Sequence, residues 1–214
     1  MVALDSAVRA ASRTRFNLSA VLIVGGLLGG LCAAGVPLGL FGRTYEGWAL
    51  AARMTDEFAG ILFLIAFLAE PLARLFPKSL ATELSPGHRR LALGFAAAYG
   101  VCLLVAAFAA TAEGQKVGVP QAFAVIFQYG VLAAMVATSG IWSTGVMDKP
   151  IWRRLHTATL WFFWLVYTFS YVGHFTGPHI PDASYGIGLI FLFQALFIRH
   201  AAALKEIWVH PMAE

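Results

Sequence analysis

Residues 89–112 read RRLALGFAAAYGVCLLVAAFAATA, two arginines followed by twenty-two residues without a charge. A helix needs about 20 apolar residues to cross a bilayer, so this stretch is long enough to span one. The arginines at its start belong in water, at a membrane surface. Comparable runs recur along the chain. Phe16 to Gly42 follows Arg9, Arg13 and Arg15, and Val117 to Met147, Leu155 to Pro181 and Ala183 to Ile198 come later. A weaker run lies between Asp56 and Leu75 and contains Glu70 and Pro71. The pattern predicts an all-α integral membrane protein, a bundle of six transmembrane helices.

Composition points the same way. Of the 214 residues, 59% are hydrophobic and only 12% are charged, whereas a soluble domain carries about 25% charged residues. Mean hydropathy is +0.74. There is too little charge to coat a water-exposed surface, so the lipid bilayer is the expected surrounding. The length leaves no room for a further soluble domain of ordinary size, and hence none for a flavin or nicotinamide site. The net charge of +4 is carried by short basic clusters between apolar runs. That distribution reads as membrane topology, not as a nucleic-acid-binding stripe.

The first apolar run is longer than the roughly 7–15 residues of a signal-peptide core, so it is expected to be a retained helix. With six helices, one side of the membrane receives Arg9, Arg13, Arg15, Arg74, Lys78 and Arg89, then Arg90, Lys149, Arg153, Arg154, Arg199 and Lys205. The other side receives Arg43, Arg53 and Lys116, an asymmetry of twelve against three. Cytoplasmic loops hold the excess of Lys and Arg, which predicts both termini in the cytoplasm. The expected organisation is a cytoplasmic segment over 1–15, a six-helix domain over 16–203 and a cytoplasmic tail over 204–214. Cys32 and Cys102 lie inside apolar runs with no metal-ligand spacing and read as small core residues. Gly25, Gly26, Gly29 and Gly30 on the first helix, with Ala96, Ala97, Ala98 and Gly100 on the third, suit close helix packing.

The third and fifth helices run parallel, and each starts at an arginine pair with a histidine beside it: His88 at Arg89-Arg90, and His156 at Arg153-Arg154. Imidazole is the usual protein ligand of a b-type haem, and two parallel helices can supply one each. An ionisable group such as His156 inside a membrane segment is a functional candidate. The competing readings are a solvated loop position for His88 and a backbone hydrogen bond for His156. On the other side, His174, His179 and Asp182 are spaced so that they could hold a metal ion, with Glu113 nearby. Glu70 and Arg74 are four residues apart and are expected to pair.

Several of these stretches together resemble a known family. Gly60-Ile61-Leu62-Phe63-Leu64 through Glu70-Pro71-Leu72-Ala73-Arg74-Leu75 is similar to the second helix of ferric-reductase-like transmembrane domains. Arg89-Arg90-Leu91-Ala92-Leu93-Gly94-Phe95, with Tyr99, resembles the start of their third helix. Thr138-Ser139 and Trp152-Arg153-Arg154-Leu155-His156 resemble the end of the fourth and the start of the fifth. The resemblance covers roughly residues 55 to 175. It is nearest to the haem-bearing membrane subunit of bacterial methionine sulfoxide reductase systems.

The resemblance implies a subunit of the bacterial inner (plasma) membrane that takes part in electron transport. It also locates two departures. The family's haem histidine on the third helix falls at Leu104, ten residues after Gly94, and its second histidine on the fifth falls at Phe169, thirteen residues after His156. Two functions follow as expectations. The first is a membrane electron-transfer subunit of an oxidoreductase, with at most one haem b near the cytoplasmic face. His156 and His88 would bind its iron, and a reductase partner or quinol would be the donor. The second is a haem-free accessory or assembly subunit of a larger membrane complex that keeps only the scaffold.

Overall fold

A computed structural model describes residues 2–77, 88–112, 114, 118–139, 149–176 and 183–209. Among them are six helices and no strand: α1 (Val2–Phe41), α2 (Tyr45–Leu75), α3 (His88–Ala112), α4 (Val119–Ser139), α5 (Lys149–Thr176) and α6 (Ala183–Val209). Five contain a stretch long and apolar enough to cross a membrane: Ala20–Phe41, Tyr45–Leu75, Arg90–Ala112, Ala122–Ser139 and Ala183–Lys205. Large apolar side chains cover the outside, among them Leu40, Val119, Phe123, Ile126 and Phe197. Such a surface would aggregate in water and is stable only against lipid or another apolar partner. The chain is therefore an integral membrane protein.

α2 is longer than the apolar run between Asp56 and Leu75 suggests. It starts at Tyr45, and Arg53, Asp56 and Glu57 lie inside it. The Thr44 side chain caps its first turn by accepting from the Gly47 amide at 3.2 Å, satisfying one of the orphan donors of a helix start. Charges are tolerated within the helix because they are partnered. Arg53 Nε donates to Glu57 at 3.0 Å, and Arg53 also donates to the Ser184 hydroxyl at 3.1 Å.

α1, α2 and α3 pack closely together, α6 lies on α2, and α5 stands between α4 and α6. Gly26 and Gly94 set the crossing of α1 and α3. A Cβ on Gly26 would overlap the Gly94 carbonyl, and one on Gly94 would come within 3.0 Å of the Leu22 carbonyl oxygen. Packing and close backbone approach, not expulsion from water, hold helices together in lipid, so such crossings carry stability. Of the small residues singled out above, Gly25 and Gly100 have open space beside them. Cys102 is buried as expected, but Cys32 is exposed on α1.

The core lies between α2, α3 and α5. Phe63, Phe67, Phe95, Phe163 and Tyr167 are all but inaccessible. Phe95 packs edge-on against Phe163 with ring centroids 5.1 Å apart, and Tyr99 does the same at 5.1 Å. Phe63 stacks on Tyr167 at 5.4 Å. These are ordinary contact separations for aromatic pairs. The rings bridge α3 and α5 and fill the middle of the bundle.

Candidate functional site

The polar groups of the interior gather at two levels, one on each side of this aromatic core. At the first, His156 of α5 is 3% exposed. Its Nδ1 lies 3.4 Å from the Thr138 hydroxyl and 3.3 Å from the Ser139 hydroxyl. Thr138 also donates to the Ala134 and Met135 carbonyls, at 2.9 and 3.0 Å. The last turn of α4 therefore holds one edge of the imidazole. Hydroxyls hold the ring at Nδ1, where the competing expectation was a backbone carbonyl. Such a hold is also how an iron-ligating imidazole is oriented, through its second nitrogen.

Near that level is a residue the sequence reading treated only as a cytoplasmic charge. The Arg199 guanidinium of α6 sits 4.4 Å from the centroid of Phe67 and 5.4 Å from that of Trp161. It also donates to the Phe67 carbonyl at 3.1 Å. A desolvated cation over aromatic faces is worth about 2 kcal/mol. One turn and a half further on, Lys205 donates to the carbonyls of Arg74 and Leu75, at 2.9 and 3.1 Å. It caps the C-terminal end of α2, where positive charge is favoured. Glu70 and Arg74 form the expected ion pair.

The second level is the one sequence reasoning missed. Asp56 faces the Cys102 thiol, with Sγ 3.9 Å from its carboxylate. Tyr99 donates to Gln128 at 3.0 Å, tying α3 to α4. The Arg53 guanidinium lies 5.9 Å from the centre of the Tyr185 ring, and His174 stacks on the same ring at 4.6 Å. The only sequence signal was Arg53-Met54-Thr55-Asp56-Glu57, three charges just ahead of an apolar run.

The remaining sequence-predicted residues divide as follows. His88 is the first residue of α3. His179, Asp182 and Glu113 lie outside the described residues, and among the described residues no group of three His, Cys, Asp or Glu is placed to hold a metal. Leu104 and Phe169 are 56% and 72% exposed, so both point away from the bundle.

A haem between α3 and α5 needs facing imidazoles and a slot for the macrocycle. Among the described residues neither is present at mid-bundle. The positions where the resemblance puts the ligands face outward, and the space between the helices is occupied by Phe95, Tyr99, Phe163 and Tyr167 in mutual contact. The residues there do not fit the group. At the Thr138–Ser139 level the described side chains supply one oriented imidazole, His156. Compared with models of protein families, with curated proteins and with solved structures, the chain matches none.

Proposed function

We propose that this chain is a haem-free accessory or assembly subunit of a larger membrane complex, retaining a ferric-reductase-like scaffold in a bacterial inner membrane. The observation that carries this is the filled core: buried rings occupy the space that a macrocycle would need, and Leu104 and Phe169 face out. All six helices span the membrane in this proposal. α5 has 28 residues, about 42 Å at 1.5 Å per residue, and His156, Thr159, Trp164, Tyr167 and Tyr171, which lower its hydropathy, serve the interior. The excess of Lys and Arg supports cytoplasmic termini.

The subunit role is tested by extracting the full chain from its native membrane in mild detergent. Its particle should be far heavier than a micelle holding one 23.0 kDa chain. A monomeric particle would contradict the role.

A second reading is favoured by one feature, the imidazole of His156 held at Nδ1 by two hydroxyls. It is a single haem b at that level, with His156 as ligand and His88 as its candidate partner. When bound, the group would supply one-electron chemistry. Thr138 and Ser139 would fix the ring orientation of His156. If haem bands are found, His156→Ala should abolish them under this reading.

A further inference from the structure

Asp56 sits at a depth where a carboxyl group is rare. It is about 16 Å from the start of α2 at 1.5 Å per residue, well inside the Tyr45–Leu75 span. The Cys102 thiol, 3.9 Å from its carboxylate, stands close to the middle of the Arg90–Ala112 span of α3. Two helices thus place Asp56 near mid-membrane. An ionised carboxylate is costly there, and it marks a functional site unless a cation neutralises it.

Among the described residues no ion pair joins Asp56 to a cation. Arg53, one turn earlier, is bonded to Glu57 at 3.0 Å and to Ser184 at 3.1 Å. The partners of Asp56 are weak acids instead. Tyr171 of α5 donates a hydrogen bond to it. From α3 come Cys102 and Tyr99, whose hydroxyl goes on to Gln128 of α4. Tyr167 of α5 is 1% exposed, and its hydroxyl has no hydrogen-bond partner. Asp56 is the ionisable side chain that acts on it most strongly. Gly60, one turn beyond Asp56, admits both phenols. A Cβ there would lie 3.0 Å from the Tyr171 hydroxyl and 3.3 Å from the Tyr167 ring. Of the remaining titratable neighbours, Glu57 adjoins Asp56 in sequence, and Tyr185 of α6 packs on the Tyr171 ring at 5.4 Å. α1 has no charged side chain over Ala20–Phe41.

We propose that Asp56 is a proton-binding site, a carboxyl group that takes up and releases one proton near mid-membrane beside the Tyr171 hydroxyl. The proton adds to a carboxylate oxygen and Asp56 becomes neutral; release restores the charge. Tyr171 also lines the groove between α2, α5 and α6, together with Glu57 and Ser184, and the proton arrives from that side. Tyr171 acts as a positioning residue, because its hydrogen bond favours the ionised form. The site is independent of whether the bundle holds haem.

The test is infrared spectroscopy of the full-length chain in detergent, titrated with acid and base. A carboxylic acid shielded from water absorbs at higher C=O frequency than the solvated Asp and Glu side chains. One such band, equivalent to one group per chain, should grow and vanish reversibly with pH and be missing from Asp56→Asn. Tyr171→Phe keeps the ring and removes the hydrogen bond. It should retain the band and move its midpoint upward by about one pH unit, a tenfold tighter hold on the proton. Identical titrations of the wild type and Asp56→Asn would overturn the proposal, and so would an Asp56 band that pH leaves unchanged. An unshifted midpoint in Tyr171→Phe would overturn it as well. Should Asp56→Asn fail to accumulate, the Tyr171→Phe shift decides alone.

Discussion

His156 and Phe95 are the residues on which the interior turns, for different reasons. His156 is a buried polar group held at Nδ1 by two hydroxyls on a neighbouring helix, and removing it breaks those contacts and opens a void. His156→Ala should destabilise the protein by about 1–3 kcal/mol, read as a lowered unfolding temperature in detergent. An unchanged temperature would mean that the contacts with Thr138 and Ser139 contribute nothing. Phe95 touches Phe63, Tyr99, Phe163 and Tyr167 at centroid separations of 5.1 to 6.3 Å. Phe95→Ala should cost about 3–5 kcal/mol through the cavity it leaves. Tolerance of that change, by the same measurement, would indicate a loosely filled core.

Helices differ in how much of them can be read from residues alone. α3 was legible because Arg89-Arg90 marks its start and an unbroken apolar run follows. The start of α2 was not, because Arg53 and Glu57 neutralise each other within the helix and Asp56 is accommodated in it, so charge ceased to mark a boundary. Facing was harder still. In water a helix shows a polar side, but in lipid the outside is as apolar as the inside, and the periodic signal fades. Nothing in the spacing of Leu104 or Phe169 therefore revealed that both point outward. The pairing of Glu70 with Arg74 was legible because it depends only on a four-residue interval. The contact of α1 with α3 was anticipated from small residues, but the pair that meets is Gly26 and Gly94. Gly26→Leu should force those helices apart and greatly reduce membrane accumulation of the folded chain. Gly25→Leu, at a position with open space, should not. Equal accumulation of the two variants would contradict this crossing.

On the scale of the whole molecule, two polar levels flank an aromatic core inside an apolar exterior. Arg199 and Lys205 fasten α6 to α2 near one level, and Arg53 links α2 to α6 through Ser184 at the other. The proposed topology puts the Lys205 end in the cytoplasm with the N-terminus. Reporter fusions at residue 214 and in the loop between α1 and α2 should report opposite sides of the membrane, and the same side for both would refute six spans.

The central claim is that the bundle is closed by its own side chains where the resembled family holds haem. The direct measurement is a reduced-minus-oxidised absorption spectrum of the full chain purified from haem-replete cells. It should be flat throughout the b-type region, with haem far below one per chain. Bands of stoichiometric b-type haem would contradict the account, and their survival in His156→Ala would place the iron where the packed rings now leave no room.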